Sequence, residues 1–138
     1  MLNAIAPVGV QGVNDASPNG YTDVSFDYVY NKVLTANQSL IGETVSIFSE
    51  ADFCFRALVF QSTGLFGIRL QDGQGYYLQS GFVYSTNYPN NPGDPFPWLP
   101  EVIYPASGRI WIDIQDLSAA GNTIQLMFKG ANRYKVNL

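Results

Sequence analysis

Carboxylates are the side chains through which this chain could perform acid–base chemistry. The sequence contains no histidine, which excludes a Ser-His-Asp or Cys-His arrangement and an imidazole metal ligand. The nearest carboxylate pairs are Asp113 with Asp116 and Glu50 with Asp52. A glycosidase needs two carboxylates across a cleft, and sequence spacing does not establish that geometry. We therefore expect these side chains to bond to turns and loops, and we predict no catalytic residue.

Cys54 is the only cysteine of the chain, so no disulfide can form within it. No histidine is present to activate the thiol, and we expect Cys54 to act as a small buried hydrophobic residue. Asp72, Asp94 and Asp116 could bind calcium in a loop-rich β protein, but no stretch has the D-x-[DN]-x-[DN]-G spacing. The sequence therefore predicts neither a metal site nor a cofactor.

A proline-rich stretch, TNYPNNPGDPFPWLP (residues 86–100), is predicted to form one long loop. It holds five of the eight prolines, which lower the entropy lost when a loop is immobilised. Its aromatic residues Tyr88, Phe96 and Trp98 could stack on a sugar, anchor a protein interface, or fold back to plug one end of the domain. The interface and the plug are both favoured over sugar binding.

Alternation of apolar and polar residues indicates the elements that hold these side chains. RIWIDIQ (residues 109–115) and NTIQLMFKG (residues 122–130) alternate with period two, which is typical of half-buried antiparallel strands. The turn-forming residues of DLSAAGN lie between them, so we predict a hairpin. Trp111 is the large apolar exception on the polar side of the first strand. Covering by a second sheet or by an N-terminal arm is favoured over exposure as a contact.

Strand-like stretches also occupy much of the chain before the hairpin. They are residues 24–34, 44–48, 53–61, 65–71 and 101–104, with GYYLQ and GFVYS (residues 75–85) as further short candidates, and DGQG (residues 72–75) predicts a hairpin turn. FCFRALVFQ (residues 53–61) is apolar on both faces, which is typical of a central strand. Its predicted faces are Phe53, Phe55, Ala57 and Val59 on one side, with Cys54, Leu58 and Phe60 around Arg56 on the other.

The eight or nine short strands predict an all-β protein. We expect an antiparallel β-sandwich of jelly-roll type with an extended N-terminal arm and one long Pro-rich loop, and an open barrel is the alternative. Residues 1–22 are predicted to be the arm and residues 23–138 a single β-sandwich domain. The core is predicted to contain Phe55, Ile68, Ile110, Ile112, Ile114, Leu126 and Phe128.

The predicted arm is rich in glycine, proline and asparagine, which exclude a long regular element. It could be disordered, as termini often are. Its apolar residues nevertheless suggest an arm that becomes ordered against a neighbouring subunit. We assign Leu2, Ile5, Val8 and Val10 to that protein interface, together with Tyr88, Phe96 and Trp98 of the loop.

Composition limits the possible partners. The chain has 138 residues, enough for one domain, and only 13% of them are charged, about half of the ~25% of a typical soluble domain. Neutral polar residues must cover the surface, and such a surface is easily desolvated against another protein. A net charge of −4 argues against nucleic acid. Lys129, Arg133 and Lys135 form the only local basic cluster, and we expect them to be solvated charges near a strand end.

No apolar run approaches the length of a membrane span, and the first residues lack the features of a signal peptide. We therefore expect a protein that is cytosolic at synthesis and has no membrane partner.

The succession FGIRLQDGQGYYLQSGFVYS followed by PFPWLPEVIYPASGRIWIDIQDLSAAGNTIQLMFKGANRYKV resembles small all-β virion structural proteins of tailed bacteriophages. The shared order is a strand pair with a D-x-x-G-x-Y turn, a Pro-rich loop, a proline-glycine turn, and a closing hairpin with an F-x-G-x-x-R-Y tail. That tail consists here of Phe128, Gly130, Arg133 and Tyr134. The resemblance covers residues 25–136 and implies an accessory head or connector protein, such as a capsid decoration or cement protein.

We therefore expect a non-enzymatic structural protein located in the virion. Its expected partners are further copies of itself, as a homo-oligomer, and the major capsid protein or other virion proteins. The alternative is a carbohydrate-binding or receptor-binding β-sandwich module of a tail or fibre, with Tyr88, Trp98 and Trp111 as stacking surfaces.

Overall fold

The computed structural model describes residues 13–16, 20–88 and 95–136. These residues form strands, turns and one short 3-10 helix, η1 (Ser85–Asn87), which confirms the all-β fold class. The strands are β1 (Val13–Ala16), β2 (Tyr21–Leu34), β3 (Ser39–Ser46), β4 (Asp52–Ser62), β5 (Phe66–Leu70), β6 (Val83–Tyr84), β7 (Phe96–Tyr104), β8 (Arg109–Asp116) and β9 (Asn122–Lys135).

The strands form two antiparallel sheets. The five-stranded sheet has the order β1-β2-β9-β4-β7, and the four-stranded sheet has the order β3-β8-β5-β6. Only the β1–β2 and β5–β6 connections stay within one sheet, so the chain crosses repeatedly from one layer to the other. Distant parts of the chain therefore become neighbours in each sheet.

The inner faces of the two sheets contribute to one hydrophobic core. Phe60 of β4 meets Phe66 of β5 edge to face, with ring centroids 5.1 Å apart. Period-two alternation places every second side chain of a strand toward this core. All seven side chains predicted for the core are completely buried: Phe55, Ile68, Ile110, Ile112, Ile114, Leu126 and Phe128.

The predicted hairpin between residues 109–115 and 122–130 is wrong, although both strands are present. β8 pairs with β3 and β5 in the four-stranded sheet, whereas β9 pairs with β2 and β4 in the five-stranded sheet. Alternation identifies the buried face of a strand but not its hydrogen-bonded neighbour. Two successive strands can therefore bury their apolar faces against each other across a core instead of lying side by side.

The predicted faces of residues 53–61 are also wrong beyond Arg56. Phe55 lies opposite Gly130 and Ala57 lies opposite Lys129, so Arg56 is an extra residue in β4 that has no partner on β9. Such a β-bulge reverses the faces of all residues that follow. The core consequently receives Phe53, Phe55, Leu58 and Phe60.

The predicted loop over residues 86–100 differs from the structure because its last residues belong to a strand. β7 begins at Phe96, which lies opposite Leu58, while Pro97 lies opposite Ala57. β7 is the outermost strand of its sheet, and an edge strand tolerates proline because one side makes no ladder hydrogen bonds. Residues 89–94 of the loop lie outside the described residues.

Two other segments differ in extent from the prediction. β3 begins at Ser39, five residues before the predicted strand of residues 44–48, and β6 has only two residues. The DGQG turn is present, because the Asp72 carboxylate accepts the backbone N–H groups of Gln74 and Tyr76, each at 2.9 Å. The returning chain then forms only a single bridge, between Gln71 and Tyr77.

The segment predicted as an arm includes β1 and the first two residues of β2. Residues 1–12 and 17–19 lie outside the described residues, and with them the predicted interface residues Leu2, Ile5, Val8 and Val10.

Candidate interaction surfaces

Asp113 and Asp116, one of the two nearest carboxylate pairs in the sequence, belong to opposite faces of β8. Residues three apart on a strand face opposite sides. Asp113 lies opposite Arg69 on the outer face of the four-stranded sheet, the side away from the core, and Asp116 lies opposite the buried Phe66. These two carboxylates therefore do not flank a common substrate site.

Asp116 is occupied by the turns at its end of the molecule. One oxygen accepts the Ser118 hydroxyl at 2.6 Å, its backbone N–H at 3.0 Å and the Asn122 side-chain amide at 3.2 Å. The other oxygen accepts the Asn37 backbone N–H at 2.8 Å. These hydrogen bonds, led by that of the Ser118 hydroxyl, hold the pKa of Asp116 well below its ordinary value. The carboxylate connects two turns and is buried, so it is not accessible to a substrate.

The other acidic candidates are bonded to turns or are exposed. Asp52 accepts the Ala106 backbone N–H at 2.8 Å, and Glu50 is exposed in the preceding turn. Asp94 lies outside the described residues. Within residues 13–16, 20–88 and 95–136, no group of three or more cysteine, aspartate or glutamate side chains is placed to hold a metal ion.

Tyr88, Phe96 and Trp98 come together as one aromatic cluster at the start of β7. Tyr88 stacks on Trp98 with ring centroids 6.2 Å apart and meets Phe96 edge to face at 4.9 Å. Trp98 also lies 5.0 Å from Phe55 of the core. Tyr88 is buried, and burial raises the pKa of its hydroxyl. The rings thus cover one another and the edge of the core.

A second aromatic surface lies on the outer face of the four-stranded sheet. We call it the tyrosine face, and it comprises Arg69, Tyr77, Phe82, Tyr84 and Trp111. The Arg69 guanidinium lies 3.9 Å from the centre of the Tyr77 ring and 5.3 Å from that of Phe82. Tyr77 and Tyr84 are 46% and 52% exposed. The face therefore combines accessible aromatic rings with a fixed cation.

Asp113 holds the Arg69 guanidinium of the tyrosine face in place. Its Oδ2 accepts two hydrogen bonds from Arg69, at 2.9 and 3.1 Å, and its Oδ1 accepts the Gly42 backbone N–H at 2.9 Å. The Asp113 side chain is only 1% exposed, so the negative charge is covered by its partners. The Arg69 guanidinium is consequently held in place by pairing with Asp113 and by packing against the Tyr77 ring.

Trp111 lies at the border of the tyrosine face. It is partly buried, 6.0 Å from the Arg109 guanidinium, and the bulged residue Gly42 of β3 lies beside its ring. The second sheet does not cover Trp111, because Ile110 and Ile112 on either side of it face the core. Cover by the N-terminal arm stays a prediction, since residues 1–12 lie outside the described residues.

Sequence reasoning did not predict the tyrosine face. The aromatic residues of QGYYLQSGFVYS are predicted to lie in strands, whereas Tyr77 forms only an isolated bridge and only Tyr84 belongs to a strand. The dense aromatic content of that stretch was the available signal.

A charged network crosses the outer face of the five-stranded sheet. Asp23 of β2 accepts hydrogen bonds from Arg133 of β9 at 2.8 and 2.9 Å and from Arg56 of β4 at 2.8 Å. Arg56 also donates to Glu101 of β7 at 2.7 Å. The Arg133 hydrogen bonds are the main reason why the pKa of Asp23 is lowered. The network links four neighbouring strands through charges that neutralise one another.

Of the predicted basic cluster near the C-terminus, Lys135 is exposed as expected, whereas the other two residues form ion pairs. Arg133 pairs with Asp23, and Lys129 pairs with Asp27 at 3.2 Å. β9 lies in the middle of its sheet, where cross-strand neighbours are available on both sides.

Cys54 lies beneath this network. It is completely buried opposite Ala131, and burial raises the pKa of its thiol to about 11. A protonated, inaccessible thiol is a poor nucleophile and a poor metal ligand.

No protein-family model matches this chain, and no curated protein is significantly similar to it. In the part of the chain that the structure describes, no helix has the length and apolar character needed to cross a membrane.

Proposed function

We propose that this chain is a jelly-roll structural protein of a bacteriophage virion, most simply a decoration or cement protein of the capsid. The strand order is the observation that carries the proposal. Without β1, the two sheets have the orders β2-β9-β4-β7 and β3-β8-β5-β6, which correspond to the two four-stranded sheets of an eight-stranded jelly roll. Many viral capsid proteins and lectins have that architecture.

The surface supports a role in assembly. Most of the cationic side chains pair with carboxylates, so few unpaired charges must be desolvated when the surface meets a neighbour. The paired side chains are Lys32, Arg56, Arg69, Lys129 and Arg133. Large apolar side chains are exposed on several sides, among them Ile41, Phe48, Leu99 and Ile103. Several weak contacts in a lattice reinforce one another through effective concentration.

In this proposal the protein works in the virion without catalytic turnover, cofactor or metal. Its partners are further copies of itself and the major capsid protein or other virion proteins. In this proposal it binds neither nucleic acid nor a membrane. Two segments provide the contacts with neighbouring subunits. One is the predicted arm, with Leu2, Ile5, Val8 and Val10. The other is the Pro-rich loop beside the aromatic cluster of Tyr88, Phe96 and Trp98.

Quantitative mass spectrometry of gradient-purified virions that encode this chain tests the proposal. We expect the protein in a copy number comparable to that of the major capsid protein, and we expect particles that lack it to disrupt at lower temperature. A copy number typical of a tail tip would exclude decoration of the capsid. Absence from purified virions would reject the structural role altogether.

The tyrosine face favours a second candidate, a carbohydrate-binding or receptor-binding module of a tail or fibre. Tyr77 and Tyr84 offer exposed rings that could stack on a pyranose, and Arg69 could bond its hydroxyl or carboxylate groups. Lectins share the jelly-roll architecture.

A glycan panel read by tryptophan fluorescence separates the two candidates. Trp111 borders the tyrosine face and Trp98 does not, so Trp111→Phe removes the local reporter. Saturable quenching by one glycan would favour the carbohydrate module if Trp111→Phe and Tyr77→Ala abolish it. The control variant Tyr134→Ala, on β9, should keep the quenching. No response to any glycan would leave the decoration proposal as the better one.

A further inference from the structure

Four side chains of neighbouring chain segments lie in one row across the tyrosine face. Thr44 of β3 is opposite Trp111 of β8. Gln71, the residue after β5, donates its backbone N–H to the Trp111 carbonyl at 3.1 Å. Tyr77 forms an antiparallel bridge with Gln71. We call these four residues the aromatic row, which runs across the strands and not along them.

The aromatic row lies on the outer face of the four-stranded sheet. Leu70 and Ile112 precede and follow members of the row in the chain, and both are completely buried in the core. Because successive side chains of a strand point to opposite faces, those of Gln71 and Trp111 point outward. Tyr77 is 46% exposed, and the other three side chains of the row are exposed or partly exposed. A ligand can therefore reach the row from solvent.

The spacing of the aromatic row sets the length of a ligand that fills it. Neighbouring strands lie about 4.8 Å apart, so the backbones that carry Trp111 and Tyr77 are about 10 Å apart and the whole row spans about 14 Å. A single sugar ring is too small to contact both aromatic side chains. A linear chain laid across the strands places one unit on Trp111, another on Tyr77 and the unit between them at Gln71.

The chemistry of the row fits the units of such a chain. The face of a pyranose ring is apolar and stacks on an aromatic side chain, whereas the hydroxyl groups at its rim need hydrogen-bond partners. The Gln71 amide and the Thr44 hydroxyl can each donate and accept hydrogen bonds. We propose that the aromatic row binds a linear oligosaccharide, with separate subsites at Trp111 and Tyr77. This inference rests on the carbohydrate-binding candidate and adds the form of its ligand.

The groups around the row also indicate the class of ligand. Gln71 stands between the two aromatic residues, and an apolar protein surface that covered them would leave its amide without a hydrogen-bond partner. The charge of Arg69 beside the row is neutralised by Asp113 at 2.9 Å. Arg109 places one positive charge 6.0 Å from the Trp111 ring. Neutral and acidic sugar units are therefore both compatible with the site.

Isothermal titration calorimetry of the purified full-length protein, with single sugars and chains of increasing length, tests the proposal. Cello-, malto- and xylo-oligosaccharides provide the neutral chains, and oligogalacturonides provide the acidic chains. We expect the affinity for one series to rise at least about tenfold between the monosaccharide and the trisaccharide, because a chain occupies both subsites at once. The affinity should change little once the chain is longer than the row.

Separate variants test the two subsites. Trp111→Leu and Tyr77→Leu keep an apolar side chain but remove the ring, so each should lower the affinity for the longest chain about fivefold and remove most of the gain with length. Gln71→Leu removes the amide between them and should also weaken binding of the chain. Tyr76→Leu is the matched control, because Tyr76 is even more exposed, at 69%, but is not part of the row. Melting temperatures within about 3 °C of the native value show that a variant is folded.

Equal affinity for a monosaccharide and for its longer chains would overturn the two-subsite proposal and leave the carbohydrate-binding candidate in place. Absence of binding to every sugar of the panel would overturn both, whereas the decoration proposal, which is tested on virions, would be untouched. Unchanged affinity in Trp111→Leu would also overturn the proposal, as expected if the predicted arm covers that ring. An equal loss in Tyr76→Leu would show that the row is not the site.

Discussion

Arg69 and Asp113 form an ion pair that joins β5 to β8 on the outer face of the four-stranded sheet. Two guanidinium nitrogens bond the same carboxylate oxygen, at 2.9 and 3.1 Å, and Tyr77 covers the guanidinium. The sequence separates the two residues by 44 positions. Because Asp113 is bound in this pair, it stabilises the tyrosine face and does not act as a free carboxylate.

Loss of Arg69 is therefore expected to destabilise the fold. Arg69→Ala leaves Asp113 buried with only the Gly42 N–H as a partner, and breaking a buried pair in this way costs about 3 kcal/mol. The double variant Arg69→Met with Asp113→Leu should recover much of the loss, because no unpaired charge remains. Urea denaturation measures both, with the exposed Arg109→Ala as a control that should change the free energy of unfolding by less than about 0.5 kcal/mol. Equal losses in Arg69→Ala and Arg109→Ala would contradict the structural role.

Gly130 is expected to tolerate no side chain. A Cβ at this position would lie 1.8 Å from the Cys54 carbonyl oxygen, next to the β4 bulge. Gly130→Ala should therefore lower the free energy of unfolding by roughly 3 kcal/mol, because a backbone atom and not a flexible side chain must move. Gly81→Ala is the matched control, since a Cβ there meets nothing within 4 Å. Similar melting temperatures for the two variants would contradict the close approach of β4 and β9.

Stability should fall in acid because of Asp23 and Asp116. Hydrogen bonds lower the pKa of both carboxyl groups in the folded state. A lowered folded-state pKa contributes stability above the unfolded-state value of about 4, and this contribution is lost as the pH falls through the folded-state pKa. Thermal unfolding between pH 7 and pH 2 should therefore show a smaller acid-induced loss in Asp116→Asn than in the native protein. Asp27→Asn, at an exposed position, serves as the control, and identical curves for both variants would reject the assignment.

Cys54 should react with thiol reagents only after the protein opens. Burial raises the pKa of the thiol to about 11, above the ordinary value of about 8.5. Because the folded state favours the protonated form, this contribution to stability is fully present below the unfolded-state pKa and is lost as the pH rises toward 11. At pH 8 we expect the labelling rate to be at least about 100-fold slower in the native protein than in urea. Rapid native labelling would show that the network above Cys54 opens readily.

Local patterns predicted much of what lies inside the molecule. Ile110, Ile112 and Ile114 alternate with polar residues, and they face the core because the pleat of a strand is a property of neighbouring residues. The pattern failed at Arg56, where one unpaired residue shifts the rest of β4 by half a period. A bulge depends on the register with another strand, so residues 53–61 alone do not reveal it.

The contacts that form the candidate surfaces could not be predicted from the sequence. Asp23 and Arg133 are 110 residues apart and meet because β2 and β9 are neighbours in the sheet. Tyr77 and Arg69 meet because a turn folds back over β5. Such contacts depend on strand order, which no local property of either partner specifies.

The amino-acid sequence by itself determined the all-β class, the side chains of the core and the lack of imidazole chemistry. These follow from composition and from the two-residue period of a strand, both of which act over short distances. Only the tertiary structure decided which strands are neighbours: it placed β8 and β9 in different sheets and directed Asp113 and Asp116 to different partners. The physical reason is that strand pairing is chosen by the sum of contacts over the whole core, and many pairings satisfy the same local alternation.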